Sequence, residues 1–243
     1  MLRILDARTG ESVAATPARR GLTRVEARAP GPDLTSLRVL LTADLLARAL
    51  ELNGLQAWPT APGQAPELRT AADALAVRPF EEAHGPGLAE AGVVRVTAGE
   101  VDPAAAEGPV VAVAPVVWAG EPGAPLSDLL TDPTALRLAL LSVPHGETVT
   151  LDEAALSRAA ERLAGWRRDV AGWARRPSRP VPEAVRERLT EAWEDDLDMP
   201  GVLEALVQAA ADPAVADGAR FETFAYADRL LALELTRDLG TLG

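Results

Sequence analysis

The chain contains no cysteine and no lysine. Without cysteine, disulfides, thiolate-held zinc, iron–sulfur clusters and thiol nucleophiles are excluded. Without lysine there is no Schiff-base chemistry and no ammonium to grip a transferring phosphate. Acidic residues outnumber arginines by 36 to 24, a net charge of −12. That balance argues against nonspecific nucleic-acid binding, which needs clustered cations. Long apolar runs are missing too: the longest, residues 109–118, falls well short of the roughly 20 residues a bilayer demands. The opening Met1-Leu2-Arg3-Ile4-Leu5-Asp6 has no apolar run leading to a small-residue cleavage site, so no signal peptide is expected. These absences lead to an expectation of a cytoplasmic protein without membrane, metal or cofactor.

What is present is ordinary for a globular protein. An apolar share of 48% over 243 residues supports one large domain or two small ones around a sizeable core. Leu2 and Ile4 followed by Thr9-Gly10 read as a short hairpin, and residues 22–27 as a strand. From Ser36 to Asn53, Leu37, Leu40, Leu41, Leu45, Ala49 and Leu52 recur at three- and four-residue spacing. This predicts an amphipathic helix capped by Ser36. Strand, tight turn and helix is how a mononucleotide-binding α/β unit begins. Proline and glycine over residues 58–66 predict a loop. Short helices are expected over 67–76 and 79–91, and strands over 93–97 and 109–118.

Beyond residue 125 the pattern turns helical. Helices are expected over 134–142, over 156–173 with Asp152 at the start, around Val185, Leu189 and Trp193, after Asp198-Met199-Pro200, and over 221–235. The tryptophans at helical spacing read as packing anchors. The expected architecture is a shortened Rossmann-like α/β domain, residues 1–125, followed by an α-helical bundle, residues 126–243.

Several stretches, in order, resemble cysteinyl-tRNA synthetases and their shorter relative, the cysteine ligase of mycothiol synthesis. Leu2-Arg3-Ile4-Leu5-Asp6-Ala7-Arg8-Thr9-Gly10 looks like the family's L-x-L-Y-D-T-x-T-G start. Leu41-Thr42-Ala43-Asp44-Leu45-Leu46-Ala47-Arg48-Ala49-Leu50 looks like the helix after the nucleotide motif. Arg78-Pro79-Phe80-Glu81-Glu82 through Ala91-Gly92-Val93 is similar to the F-x-x-D-M-x-A-L-G-V region. Asp132-Pro133-Thr134-Ala135-Leu136-Arg137-Leu138-Ala139-Leu140-Leu141 matches D-P-x-A-x-R-L-A-L-L. Asp195-Asp196-Leu197-Asp198-Met199-Pro200 corresponds to the D-D-[FL]-[ND]-x-P junction. The resemblance implies a class I synthetase-type fold. The chain ends near the end of the expected bundle, as the mycothiol ligase does.

The departures bear on function. The family's H-I-G-H turn stabilises charge on ATP phosphates; here the corresponding residues are Asp33-Leu34-Thr35-Ser36. The family's first zinc ligand, a cysteine after the first strand, is replaced by Arg28. The K-M-S-K-S loop becomes Pro122-Gly123-Ala124-Pro125-Leu126-Ser127 after Gly120-Glu121, with neither lysine. The resemblance therefore implies a pseudoenzyme, retained for binding, scaffolding or regulation. A protein partner or self-association is expected, with tRNA disfavoured by charge. The alternative is a metal-independent enzyme, or residual ligase activity, using a remodelled cleft lined by Thr35, Ser36 and Arg38. Elsewhere, His84 reads as a surface histidine and His145 as a loop residue that could pair with Glu147. Asp195, Asp196 and Asp198 read as helix caps rather than a cation site. Arg167-Arg168 and Arg175-Arg176 with Arg179 read as a solvated helix face and its exit.

Overall fold

The computed structural model describes residues 1–16, 21–82, 92–99, 108–120 and 126–240. The chain opens with an antiparallel hairpin of β1 (Arg3–Asp6) and β2 (Glu11–Ala14). Gly10 turns it in the left-handed region at φ +72°, where a residue without Cβ is unstrained. The first α/β unit follows: β3 (Leu22–Arg28), α1 (Leu34–Leu52) and β4 (Gln56–Thr60). After α2 (Pro66–Ala74) come β5 (Gly92–Ala98) and β6 (Val110–Val113). These strands form a four-stranded, wholly parallel sheet in the order β4-β3-β5-β6. The chain leaves β3 toward one side and later returns to its other side, so a topological switch point lies between β3 and β5. Open α/β sheets place ligands outside the strand carboxyl ends at such a point.

Next come β7 (Val116–Trp118), a 3-10 turn at Leu126–Leu130, α3 (Pro133–Leu141) and β8 (Val149–Leu151), with β7 and β8 paired in parallel. Four helices complete the chain: α4 (Glu153–Trp173), α5 (Glu183–Glu194), α6 (Met199–Ala211) and α7 (Asp217–Leu231). The architecture is α/β, with a parallel sheet and seven helices among the described residues, consistent with a Rossmann-like domain. α4 and α6 pack on α7, α5 packs on α6, and α7 reaches back to α1. A single apolar core runs from Ile4 and Val25 through Leu46 to Trp193, Leu206 and Phe224. The tryptophans contribute as packing anchors: Trp166 and Trp173 meet Phe224 edge-on, with ring centroids 5.9 and 5.1 Å apart.

Several boundaries differ from the sequence pattern for identifiable reasons. α1 is capped by Asp33 and begins at Leu34; Ser36, expected as the cap, is the residue whose backbone N–H the cap receives. The loop expected over 58–66 begins inside β4. Pro59 fits there because its carbonyl faces Glu81 on the outer edge, so its missing N–H takes nothing from the β3–β4 ladder. The single strand expected over 109–118 is two strands parted by Pro115. No helix occupies residues 79–82, where Glu81 forms an isolated bridge with Thr60; the rest of that segment, with His84, lies outside the described residues. α7 starts four residues earlier than expected and stops at Ala232, which adopts φ 48°. There Asp228 accepts the N–H groups of Leu233 and Leu235 at 2.7 and 2.9 Å.

Candidate functional site

The switch point is bordered by the end of β3, the turn at residues 29–33 and the first turn of α1. A helix N-terminus exposes unpaired N–H groups and a partial positive charge, which makes it an anion site unless something else takes it. Here Asp33 takes it. Its Oδ1 accepts the Ser36 N–H at 2.8 Å and its Oδ2 accepts the Ser36 hydroxyl at 3.3 Å. Ser36 Oγ in turn accepts the Gly31 N–H at 3.2 Å. The Ser36 N–H, one of the donors a phosphate would use, is met by a carboxylate of the chain itself, whose charge also repels a phosphate. The residues present therefore do not fit an ATP triphosphate at this turn.

Thr35 and Arg38 are also committed. Thr35 Oγ1 accepts the Val116 N–H at 3.0 Å and ties α1 to β7. Arg38 is buried, and its guanidinium donates to four backbone carbonyls: Ala114 at 3.1 Å, Glu147 at 2.6 Å, Val143 at 3.1 Å and Pro144 at 2.6 Å. Burial pushes its pKa down to about 10, against the charge of Glu147. Arg38 thus locks the α3–β8 connection to the end of β6.

At the end of β3, Arg28 Nε donates to Glu26 Oε1 at 2.8 Å. Glu26 also meets Arg24 at 3.0 Å and Arg95 at 3.4 Å. Burial alone would raise the Glu26 carboxyl; Arg28, Arg95 and Arg24 outweigh it and hold the group below the usual carboxylate range. A guanidinium paired to a carboxylate cannot stand in for a zinc thiolate. Among the described residues no group of three histidines or carboxylates is arranged to hold a metal. The donor set does not fit the family's zinc.

Sequence reasoning missed the partner of His145. It is Asp196, not Glu147: Nε2 lies 3.7 Å from Asp196 Oδ2. Asp196 Oδ1 accepts the Leu5 N–H at 2.8 Å, and Asp196 adopts φ 51° at the α5–α6 turn. Burial, assisted by Arg38 and opposed by Asp196, lowers the His145 pKa. The pair opens on a cleft shared with Leu5, Ala7, Gly99 and residues 112–115, at the carboxyl ends of β5 and β6. The two residues lie far apart in the chain, and no motif in the sequence links them. Asp198 caps α6 through the Gly201 N–H at 2.9 Å, the role expected for it.

Arg167, expected on a solvated helix face, is instead largely covered. Arg167 donates to the carbonyls of Glu234 and Leu233, at 3.0 and 2.9 Å. Residues 121–125 lie outside the described residues. Gly120 lies so close to the Trp118 ring that an added Cβ would come within 2.6 Å of it.

No family model matches the chain. Part of it is similar to ligases described as L-cysteine:1D-myo-inositol 2-amino-2-deoxy-alpha-D-glucopyranoside ligase. The protein of Streptomyces griseus is 45% identical over 75 residues, 31% of this chain and 17% of that protein. The protein of a Parafrankia strain is 47% identical over 87 residues, 36% of this chain and 18% of that protein. The protein of Geodermatophilus obscurus is 42% identical over 85 residues, 35% and 19% respectively. The chain thus resembles cysteine ligases related to cysteinyl-tRNA synthetase, over a stretch spanning less than a fifth of each relative's length.

Proposed function

We propose that this chain is a catalytically degenerate relative of the cysteine-activating ligases, working as a binding, scaffolding or regulatory protein. The observation that carries this reading is Asp33, whose carboxylate caps α1 where the family's phosphate-stabilising turn would lie. Loss of one preorganised charge stabiliser typically costs about 10²–10³ in rate. The chain lacks the turn's histidines, the zinc thiolate and both loop lysines together.

In this reading residues 1–125 form a reduced Rossmann-like domain and residues 126–243 a helical bundle domain. The mutual packing of α4, α5, α6 and α7 supports the second unit. A well-packed helical half beside a rewritten nucleotide turn points to selection for a surface. The partner is a protein, a second copy included; the net charge of −12 disfavours tRNA. The setting is the cytoplasm; no helix among the described residues is long and apolar enough to cross a membrane. The alternative of a remodelled catalytic cleft built on Thr35, Ser36 and Arg38 is disfavoured, because each already has backbone partners. Calorimetric titration with ATP and cysteine tests the reading: no saturable heat is expected, and adenylate formation would overturn it.

A further inference from the structure

We propose that the outer edge of β6, at Ala112, docks one extended residue of a partner polypeptide, with a cationic side chain of that residue set against Asp196. This deepens the binding reading and rests on it. The Arg95 N–H donates to the Pro109 carbonyl at 3.0 Å, which fixes the ladder's phase. In a parallel pair alternate residues face the same neighbour. Val111 and Val113 therefore address β5, while Val110, Ala112 and Ala114 address the opposite edge.

That edge is closed at both ends and open between them. The Val110 N–H donates to Asp6 Oδ1 at 3.1 Å, and its carbonyl accepts the Ala7 N–H at 2.8 Å. The Ala114 N–H donates to the His145 carbonyl at 2.8 Å, and its own carbonyl accepts from Arg38. Ala112 lies between, half-buried in the cleft. Its N–H and C=O meet no partner among the described residues.

A donor and an acceptor on either side of one tetrahedral carbon are matched by another amino-acid residue in extended form, the unit of strand addition. Closure at Val110 and Ala114 limits the addition to that one residue, so the occupant is a loop tip or chain end rather than a long strand. Leu5, Ala7 and Pro115 give the cleft apolar walls. Asp196 supplies the charge, with its side chain 34% exposed. The buried His145 imidazole, its pKa lowered, does not cancel that charge at neutral pH. The Arg38 guanidinium is turned to the backbone behind it. A cation is the complementary group.

The test uses the full chain and three probes followed by amide NMR shifts. They are N-acetyl-arginine N-methylamide, its analogue methylated on the arginine backbone nitrogen, and the norleucine counterpart. The arginine probe is expected to shift the Ala112, Gly99 and Gly146 amides saturably. Each of the other two should bind about tenfold more weakly, the loss of one good polar contact. Asp196→Asn keeps an acceptor for the Leu5 N–H; it should weaken the arginine probe and leave the norleucine probe unchanged. Absence of shifts at Ala112, or equal binding by the backbone-methylated probe, overturns the proposal. Should the variant fail to fold, the three probes on the unaltered chain decide alone. Neither failure revives catalysis, which the ATP titration reads separately.

Discussion

The carboxylate of Asp33 accepts the Ser36 backbone N–H at 2.8 Å and so closes the first turn of α1 with a negative charge from within the chain. The contact has two consequences. It stabilises the helix start as any good N-cap does, and it fills the place from which a strand–helix unit ordinarily holds phosphate. Stability and loss of nucleotide affinity are thus tied to one side chain.

The cap can be measured. Asp33→Ala should lower unfolding stability by about 1 kcal/mol, whereas Asp33→Asn, which keeps an acceptor, should stay within about 0.5 kcal/mol of the parent. Urea midpoints at constant slope give both values. Equal losses in the two variants would mean that the carboxylate is not acting as a cap.

Arg38 should behave as a structural tie. Arg38→Met removes the donor to the carbonyls of Val143, Pro144, Ala114 and Glu147, and each hydrogen bond from a charged donor contributes about 1.5–3 kcal/mol. A total loss of at least about 3 kcal/mol is expected. Arg38→Lys should recover only part of it, since an ammonium lacks the planar fork that spans separate acceptors. Full rescue by lysine would show that charge alone matters there.

Asp44 holds a second buried network. Its carboxylate meets Arg48 and Arg78 at 2.8 Å each and the fully buried Arg137 at 3.7 Å. Arg137 also donates to the carbonyls of Leu231 and Leu75, joining α1, α3 and the end of α7. Asp44→Ala leaves an uncompensated buried cation and should cost roughly 3–5 kcal/mol. Breaking the half-exposed Arg69–Glu82 pair at 3.7 Å should cost well under about 1 kcal/mol. Thermal melts of the two variants test the contrast, and similar melting temperatures would contradict it.

His145 gives a pH signature. Its pKa in the folded chain is below the ordinary 6.5, because burial disfavours the imidazolium. Between the folded and unfolded values the unfolded chain binds more protons, so stability rises with pH there. The contribution is complete above about pH 6.5 and is lost as pH falls through the folded value. Asp6 and Glu26, whose pKa values are also lowered, add acid sensitivity at lower pH. The informative quantity is therefore the difference between the parent and His145→Asn, whose slope should vanish above about pH 7. A parent-minus-variant difference that shrinks with rising pH below about pH 6.5 would refute the burial argument.

Much of the fold was legible because local chemistry and tertiary packing agree. Asp132, Asp152 and Asp198 each cap the helix their position announces. The spacing of Leu163, Trp166 and Val170 places all three in the core. The errors fall where two local rules compete or where the deciding partner is distant. Asp33 and Ser36 are both good caps, and only the folded turn shows which one closes it. Pro59 reads as a loop residue until its carbonyl is seen facing outward at a sheet edge. Arg38 reads as available for a ligand because an arginine near a nucleotide turn gives no sign of the four carbonyls that will surround it. Val149–Leu151 is too short to read as β8 without β7 beside it. Asp196 was legible only as a helix-junction aspartate; its contact with His145 is set by how the α5–α6 turn meets the α3–β8 connection.

The central claim, that the nucleotide turn has been rewritten beyond use, is tested most directly by calorimetric titration of the full chain with ATP and cysteine, paired with ATP–pyrophosphate exchange. The account predicts no saturable heat and no exchange above the protein-free control. Saturable ATP binding with cysteine-dependent exchange would contradict it, and would mean that a phosphate finds its donors despite Asp33.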